Sequence, residues 1–284
     1  MSPLVPNVFS IAGSDPGGGA GIQADLKTFA ALGVFGCAAI TALTAQSTVG
    51  VSGVLAVPAD FLRAQLDAVF SDIDIAAVKI GMLGDADNVR VVSDALRRHQ
   101  PPFVVLDPVF RASTGAVLLD PTALEVLWKE LLPLVSLVTP NAFEAGALLG
   151  IGAPRSAVDA AAAAGLIVAR GVRAALVTGG HLDQQALCID VLHDGNGVAE
   201  FRVPRVDAAG THGTGCVLSA AIAAYAAKGM SLHAACASAQ CVAAESVARS
   251  GELRVGHGVG PAHPLGALWA RAESAPRWTG ALAR

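Results

Sequence analysis

The stretch Asn7–Gly33, NVFSIAGSDPGGGAGIQADLKTFAALG, decides the fold class of this chain. It begins with a short apolar run typical of a strand, passes through a glycine-rich turn and continues into a segment with helical spacing. Apolar strands without clean polar alternation, each leading into a helix, are typical of a parallel sheet that is covered on both faces. The stretch therefore predicts an α/β fold.

The same alternation continues along most of the sequence. Further strands are predicted at residues 37–46, 76–83, 103–109, 136–141 and 174–180, and helices between them at residues 60–73, 88–99, 121–135 and 157–171. No linker or internal repeat interrupts the pattern. We predict one doubly wound α/β domain over residues 1–284, with helices on both faces of a mainly parallel sheet.

One segment departs from this alternation. In residues 186–206, ALCIDVLHDGNGVAEFRVPRV, two alternating runs flank the turn sequence DGNG. Such a pair predicts an antiparallel hairpin, which we place at one edge of the sheet. Two long alanine-rich helices are expected after residues 210–216.

Composition and charge exclude several classes of protein. Of 284 residues, 53% are hydrophobic and only 15% are charged, which favours a large buried core over disorder. A net charge of −4 gives no basic surface for nucleic acid or anionic lipid. We recognise no membrane-spanning run and no export signal, and the five scattered cysteines suggest no disulfide framework. We expect a cytoplasmic protein without nucleic-acid or membrane partners.

In sheets of this kind, ligands bind beyond the carboxyl ends of the strands, where polar and glycine residues collect in this sequence. Gly17–Gly21, GGGAG, could cradle a phosphate with backbone N–H groups, or could simply form a tight turn. Asp25 in the following helix is a ligand acceptor or a solvated carboxylate. Gln46 ends a predicted strand, where its carboxamide could read the edge of a heterocycle or cap a loop.

Two carboxylates follow successive strands and could hold a metal ion. Asp107 comes directly after FVVL, and Glu144 lies in TPNAFE. Hard oxygen ligands of this kind suit Mg²⁺, which commonly bridges nucleotide phosphates. The alternative is structural: Asp107 begins a turn, while Asn141 caps a helix with Glu144 at its third position.

The segment Gly213–Cys216, GTGC, leads into an alanine-rich helix and supports three interpretations. Its successive N–H groups and the helix dipole could stabilise an oxyanion. A helix N-terminus lowers the pKa of a thiol, so Cys216 is predicted to be ionised and able to accept a proton. The same features would suit a covalent thiol nucleophile with His212 as its base, and a buried structural cysteine is the third possibility.

Several of these segments together resemble one enzyme family. They are residues 12–51, AGSDPGGGAGIQADLKTFAALGVFGCAAITALTAQSTVGV, with KIGML, DPV, TPNAFEA and THGTGC further along. The sequence resembles the hydroxymethylpyrimidine/phosphomethylpyrimidine kinases of thiamine biosynthesis, in the ribokinase-like superfamily. The resemblance runs along nearly the whole chain. It implies a ribokinase-like fold, ATP and Mg²⁺ as cofactors, a pyrimidine substrate that is phosphorylated twice, and a homodimer.

The resemblance also implies roles for particular residues. Cys216 would be the base that takes the alcohol proton, in an anion hole that Gly213, Thr214 and Gly215 complete. Gln46 and Asp25 would contact the aminopyrimidine, and Gly13, Ala20, Met82 and Val109 would line its pocket. Asp107 and Glu144 would lie near Mg²⁺, and the nucleotide would meet Asn141, Thr178, Gly180 and Arg111.

Two departures from the family pattern matter. Thr178 stands where the family often has a lysine, and Phe110 and Arg111 replace a methionine and a small aliphatic residue. We expect Arg111 to supply the positive charge that Thr178 lacks, because a guanidinium binds phosphate well. Pyridoxal kinases, a sister group, are the alternative. Gln46 favours the pyrimidine, whereas Thr178 is more common among the pyridoxal enzymes.

Overall fold

The computed structural model describes residues 4–110, 123–183 and 186–274. Its strands are β1 (Asn7–Ser14), β2 (Phe35–Ser47), β3 (Gly50–Ala56), β4 (Ile75–Ile80), β5 (Val104–Leu106), β6 (Leu137–Val138), β7 (Ala175–Val177), β8 (Leu187–His193) and β9 (Val198–Pro204). They form one nine-stranded sheet in the order β3-β2-β1-β4-β5-β6-β7-β8-β9.

Helices connect most of these strands. They are α1 (Gly21–Ala31), α2 (Ala59–Phe70), α3 (Ala86–His99), α4 (Ala123–Val126), α5 (Ala142–Leu149), α6 (Ala157–Ala169), α7 (Thr214–Ala227), α8 (Leu232–Ala248) and α9 (Gly266–Ser274). A π-helical turn, Leu127–Leu131, and a 3₁₀ turn, Leu132–Leu134, continue α4. In the described part of the chain, no helix has both the length and the apolar character needed to cross a membrane.

The sheet is parallel in its centre and antiparallel at both edges. Strands β2, β1, β4, β5, β6 and β7 run parallel. The predicted hairpin is confirmed, because β8 pairs antiparallel with both β7 and β9. A second antiparallel edge, β3 beside β2, was not predicted. The sequence of β3, GVSGVLA, interrupts its apolar residues with Ser52 and Gly53, so it shows neither the alternation nor the continuous apolar run by which a strand is recognised.

The core lies in two layers, one on each face of the sheet, as predicted. Alternate residues of a strand belong to opposite core layers, because successive side chains point to opposite faces of the sheet. In β1, Phe9 and Ile11 belong to the layer to which α2, α3 and α6 contribute, whereas Val8 belongs to the layer of α1, α7 and α8. Strand β4 repeats the pattern, with Val78 in the first layer and Ala77 in the second.

The strand order places a crevice at the end of β1. The chain moves from β1 to β2 on one side, then crosses back to β4 on the other side of β1. Connections that leave a parallel sheet in opposite directions open a crevice at the carboxyl ends of the strands. Here that crevice lies beyond Ser14 of β1 and Ile80 of β4, where the glycine-rich turn begins.

Candidate active site

The glycine-rich turn after β1 is organised by one buried carboxylate, Asp15. Its Oδ1 accepts a hydrogen bond from Gly17 N at 2.8 Å, and its Oδ2 accepts from Gly19 N at 3.0 Å and Ala20 N at 2.9 Å. Burial alone would raise the pKa of Asp15, but hydrogen bonds from His212 and the backbone hold it below its usual value. Asp15 therefore shapes the turn as an ionised acceptor, a role that the sequence did not reveal.

The turn and the Gly213–Cys216 segment are in direct contact. Gly213 has a φ of 78°, and a Cβ added there would overlap the carbonyl oxygen of Gly19. Only glycine combines this backbone conformation with such a close approach. The N–H of Gly21 donates to the sulfur of Cys216, which is the third residue of α7. The thiol thus lies between the starts of two helices.

The predicted lowering of the Cys216 pKa is wrong. The pKa of Cys216 is raised to about 12, chiefly by burial and in addition by the charges of Asp25 and Asp107. Lys79 and the Gly21 N–H act in the opposite direction without prevailing. Desolvation of a thiolate outweighs the helix terminus here, so the resting group is a protonated thiol.

A buried ion pair underlies the cleft. Lys79 Nζ of β4 lies 2.9 Å from Asp25 Oδ1, and Ser10 Oγ donates to Asp25 Oδ2 at 2.6 Å. Burial opposes the positive charge of Lys79, yet Asp25, Cys216 and Asp107 raise its pKa overall. Lys79 was not predicted, although one lysine inside the apolar run IAAVKI is a visible signal. Contact between Asp25 and a substrate stays a prediction.

The two carboxylates proposed for a metal are buried close to each other. Asp107 is 5% exposed and Glu144 is 9% exposed. Burial raises the pKa of Glu144 to about 8, with the charge of Asp107 as the next cause. Burial also raises the pKa of Asp107 to about 6, while Lys79 opposes this. Two buried carboxylates that repel each other fit a cation, because its charge would relieve both.

Glu144 also has the structural role predicted for it, as the third residue of a helix that Asn141 caps. Asn141 Oδ1 accepts from the backbone of Phe143 and Glu144, while Glu144 Oε2 accepts from Asn141 N at 2.8 Å. This is the predicted capping box. Among the described residues, no group of three or more His, Cys, Asp or Glu side chains could hold a metal ion. A Mg²⁺ ion here would therefore depend on nucleotide phosphates and water for most of its ligands.

The residues predicted to meet the nucleotide come from neighbouring strand ends. Asn141, after β6, forms a parallel bridge with Thr178, after β7. Arg205 donates to the carbonyl oxygens of Gly179 at 3.2 Å and of Gly180 at 3.0 Å. This cation beside the TGGH turn was not predicted. Arg111 lies outside the described residues.

The residues predicted to bind the pyrimidine lie at the carboxyl ends of β1, β2, β4 and β5. The methyl group of Met82 lies over Gly13 so closely that a Cβ on Gly13 would overlap it. Ala20 precedes α1, and Val109 lines a small cavity with Gly81 and Phe110.

Gln46, near the end of β2, contacts a histidine beside the glycine-rich turn. Its Nε2 lies 3.2 Å from His212 Nε2, which lies 3.0 Å from Asp15 Oδ2. A second cleft there is lined by Asp15, Gly17, Gly19, Ser47, Thr48, His212 and Pro261.

Comparison with known proteins identifies the family of this chain. The phosphomethylpyrimidine kinase family matches residues 15–263. The hydroxymethylpyrimidine/phosphomethylpyrimidine kinase of Salmonella typhimurium is 47% identical over 263 residues, which cover 93% of this chain and 98% of that protein.

Two solved structures extend the likeness to the fold. Pyridoxal kinase from Staphylococcus aureus in complex with AMP-PCP and pyridoxal has a TM-score of 0.84 and 34% identity, covering 92% of this chain and 94% of the other. Phosphomethylpyrimidine kinase from Clostridium difficile has a TM-score of 0.75 and 37% identity, covering 85% and 99%. With a ribokinase-like fold and a match over most of its length, the chain belongs to the phosphomethylpyrimidine kinase family.

Proposed function

We propose that this protein transfers the γ-phosphoryl group of ATP to the hydroxymethyl oxygen of 4-amino-5-hydroxymethyl-2-methylpyrimidine. It then phosphorylates the monophosphate to the diphosphate, a step in thiamine biosynthesis. The observation that carries the proposal is the position of Gln46, whose carboxamide lies 3.2 Å from His212, the residue directly before the Gly213–Cys216 segment. A group that can read a heterocycle thus adjoins a group that can hold a phosphoryl oxyanion.

The ring chemistry supports the pyrimidine. An aminopyrimidine edge carries an N–H donor beside a ring-nitrogen acceptor, and a carboxamide offers the complementary acceptor and donor. Pyridoxal has no amino group on its ring, so it cannot complete this pair. Pyridoxal kinase is still the second candidate, because Thr178 and the similarity to the S. aureus enzyme favour it.

The phosphoryl chemistry uses the start of α7. The first N–H groups of a helix have no carbonyl partner within the helix, and with the dipole they stabilise the charge of a transferring phosphoryl group. The alcohol oxygen bonds to the γ-phosphorus, the bond to the ADP oxygen breaks, and the alcohol proton passes to the Cys216 thiolate, which forms once the resting thiol has lost its own proton to solvent. Lys79 and the Gly21 N–H favour the thiolate that this base requires. When bound, Mg²⁺ would neutralise phosphate charge, and Asp107 and Glu144 are the residues that would hold it.

The alternative in which Cys216 is a covalent nucleophile has less support. Its proposed base, His212, directs Nε2 at Asp15 and Gln46. The raised pKa of Cys216 does not separate the two roles, because a base and a nucleophile both need the thiolate.

We also propose that two copies associate through the edge of the sheet formed by β2 and β3. Apolar side chains are exposed there: Leu43 is 45%, Val54 is 52% and Leu55 is 66% exposed. Light scattering at several protein concentrations, with Leu55→Lys as the interface variant, tests the dimer.

Because ATP is the phosphoryl donor and all five cysteines are free, we place the reaction in the cytoplasm.

The substrate assignment is tested by ADP release with three acceptors: the pyrimidine alcohol, its monophosphate and pyridoxal. We expect kcat/KM for the pyrimidine alcohol to exceed that for pyridoxal by roughly tenfold or more, because an unpaired Gln46 carboxamide costs on the order of 1–3 kcal/mol. The monophosphate should also be phosphorylated. A preference for pyridoxal would overturn the assignment.

A further inference from the structure

The Gln46 carboxamide has neighbours on both sides. One end, Nε2, lies 3.2 Å from His212 Nε2, and the other end, Oε1, lies 3.2 Å from Thr44 Oγ1. A rotation of 180° about the Cγ–Cδ bond of Gln46 exchanges the positions of Oε1 and Nε2, and the carboxamide occupies the same volume as before. Two orientations therefore fill the same space, and the hydrogen-bond partners decide between them.

On the Thr44 side, the hydroxyl proton is already used. Thr44 Oγ1 donates to the carbonyl oxygen of Ser14 at 2.8 Å, which is shorter than its contact with Gln46. A threonine hydroxyl carries a single proton and otherwise accepts. The end of the Gln46 carboxamide that faces Thr44 should therefore be the NH₂ group.

On the His212 side, the ring nitrogen should be the donor. His212 Nε2 lies 3.0 Å from Asp15 Oδ2, and an aspartate oxygen that also accepts from Gly19 N and Ala20 N can only receive a proton there. A protonated Nε2 cannot accept from the Gln46 NH₂ group. The same N–H can be shared with a Gln46 oxygen at 3.2 Å as the longer branch of a bifurcated hydrogen bond, so both ends of the carboxamide favour the same orientation.

We infer that Asp15 and His212 are positioning residues that hold the Gln46 carboxamide with its oxygen towards the Gly213–Cys216 segment and its NH₂ group towards Thr44. This inference deepens the proposed function and rests on it. In the pyrimidine, the ring carbon that bears the hydroxymethyl group adjoins the carbon that bears the amino group. The ring nitrogen of the same edge lies on the far side of the amino group.

The orientation therefore selects how the ring binds. With its oxygen on the His212 side, Gln46 accepts from the amino group on that side and donates to the ring nitrogen on the Thr44 side. The hydroxymethyl group then lies towards the Gly213–Cys216 segment, where it can react. The opposite orientation would turn the ring over and direct the hydroxymethyl group away from Cys216.

Two variants of His212 separate this role from simple packing. His212→Phe keeps a ring but removes the donor, whereas His212→Gln keeps an N–H at a similar reach. We expect His212→Phe to weaken binding of the pyrimidine alcohol by roughly tenfold to a hundredfold in calorimetry, with the KM for ATP unchanged, and His212→Gln to restore most of it. In a Gln46→Met background, His212→Phe should add little, because His212 acts through Gln46. Additive losses would overturn the inference.

A direct measurement does not depend on turnover. Long-range ¹H–¹⁵N correlation spectra of the unliganded protein report which nitrogen of His212 carries the proton. We expect a protonated Nε2, and an Nε2 without a proton would refute the inference even if the protein phosphorylates the pyrimidine. If Nε2 is protonated and the wild-type protein does not phosphorylate the pyrimidine, the proposed function fails and the orientation stands.

Discussion

Lys79 Nζ lies 2.9 Å from both carboxylate oxygens of Asp25, and neither side chain reaches solvent. Lys79 belongs to β4 and Asp25 to α1, while Ser10 of β1 completes the group. The pair thus ties together the three elements that border the crevice. It also supplies the buried charge that acts on Cys216 and Asp107.

Breaking this pair should destabilise the protein strongly. Lys79→Met leaves Asp25 charged or protonated without its partner, and we expect a loss of about 3–5 kcal/mol in the free energy of unfolding. The double variant Lys79→Met/Asp25→Leu should recover a large part of that loss. Urea denaturation measures both, with Arg63→Met at the exposed ion pair to Asp94 as the matched control, expected to cost about 1 kcal/mol or less. Equal effects of Lys79→Met and Arg63→Met would contradict this account.

Replacement of Cys216 distinguishes a base from a nucleophile. Cys216→Ser should leave ATP binding nearly intact but lower kcat, because a hydroxyl is a poor proton acceptor at neutral pH. Cys216→Asp should retain substantial activity, since a carboxylate can accept the proton. Steady-state kinetics and nucleotide titrations check both variants. A folded, ATP-binding Cys216→Asp protein without activity, or a substrate adduct on Cys216 in mass spectra, would contradict the assignment.

The thiol itself should react slowly in the unliganded protein. Because burial raises the pKa of Cys216 to about 12, its alkylation by iodoacetamide at pH 7 should be far slower than that of the exposed Cys241. The rate at Cys216 should keep rising as the pH increases beyond 9. Peptide mass spectrometry resolves the two sites in one sample, and comparable rates at pH 7 would show that the thiol is activated at rest.

Glu144 should make stability depend on pH. Its pKa is raised from 4.5 to about 8 in the folded protein, so between these values the folded state binds more protons than the unfolded state. The contribution of Glu144 is therefore fully present below about pH 4.5 and is lost as the pH rises through 8. Thermal unfolding from pH 5 to 8 should show this decline, and Glu144→Gln should reduce it, leaving the part due to Asp107, whose pKa is raised to about 6, while Glu245→Gln, at an exposed position, should not change it.

The same variant tests the metal. Glu144→Gln keeps a side-chain oxygen that can accept from the Asn141 N–H, so the helix cap should survive. We expect a lower kcat and a higher Mg²⁺ concentration at half-maximal activity, because one anionic ligand is gone. Wild-type activity that persists in excess EDTA would refute a metal-dependent transfer.

Gly213→Ala should disable the cleft without unfolding the protein. The added methyl group would overlap the Gly19 carbonyl oxygen and would occupy a backbone conformation with φ of 78°. The two loops must then separate, which disturbs the N–H donors at the start of α7. We expect kcat to fall at least tenfold, whereas Gly229→Ala, another positive-φ glycine with open space around it, should affect stability only.

The sequence predicts the fold well because its signals are local. The strand–turn–helix pattern, the DGNG hairpin and the capping box at Asn141 each need only a few neighbouring residues. The rule that ligands bind beyond strand ends was sufficient to select Gln46, Asp107 and Cys216 as candidates. Strand β3 was not predicted because Ser52 and Gly53 interrupt its apolar residues, so neither an alternating nor a continuous apolar run is visible.

What the sequence could not show depends on contacts between distant segments. Lys79 and Asp25 are 54 residues apart, and their pairing follows from the registry of β1 and β4 with α1. The direction in which the pKa of Cys216 shifts depends on burial, Lys79, two carboxylates and the Gly21 N–H, whereas the sequence displays only the helix start. The contact of Asp15 with His212 spans 197 residues and has no local signal.

The central claim is most directly tested by a competition in one tube. The wild-type protein is supplied with ATP, Mg²⁺ and equal concentrations of the pyrimidine alcohol and pyridoxal, and ³¹P NMR identifies the products. We predict the pyrimidine monophosphate first and its diphosphate later, with little pyridoxal phosphate, and a shift of the product ratio towards pyridoxal phosphate in Gln46→Met. Pyridoxal phosphate as the main product of the wild-type protein, or an unchanged ratio in Gln46→Met, would contradict the account.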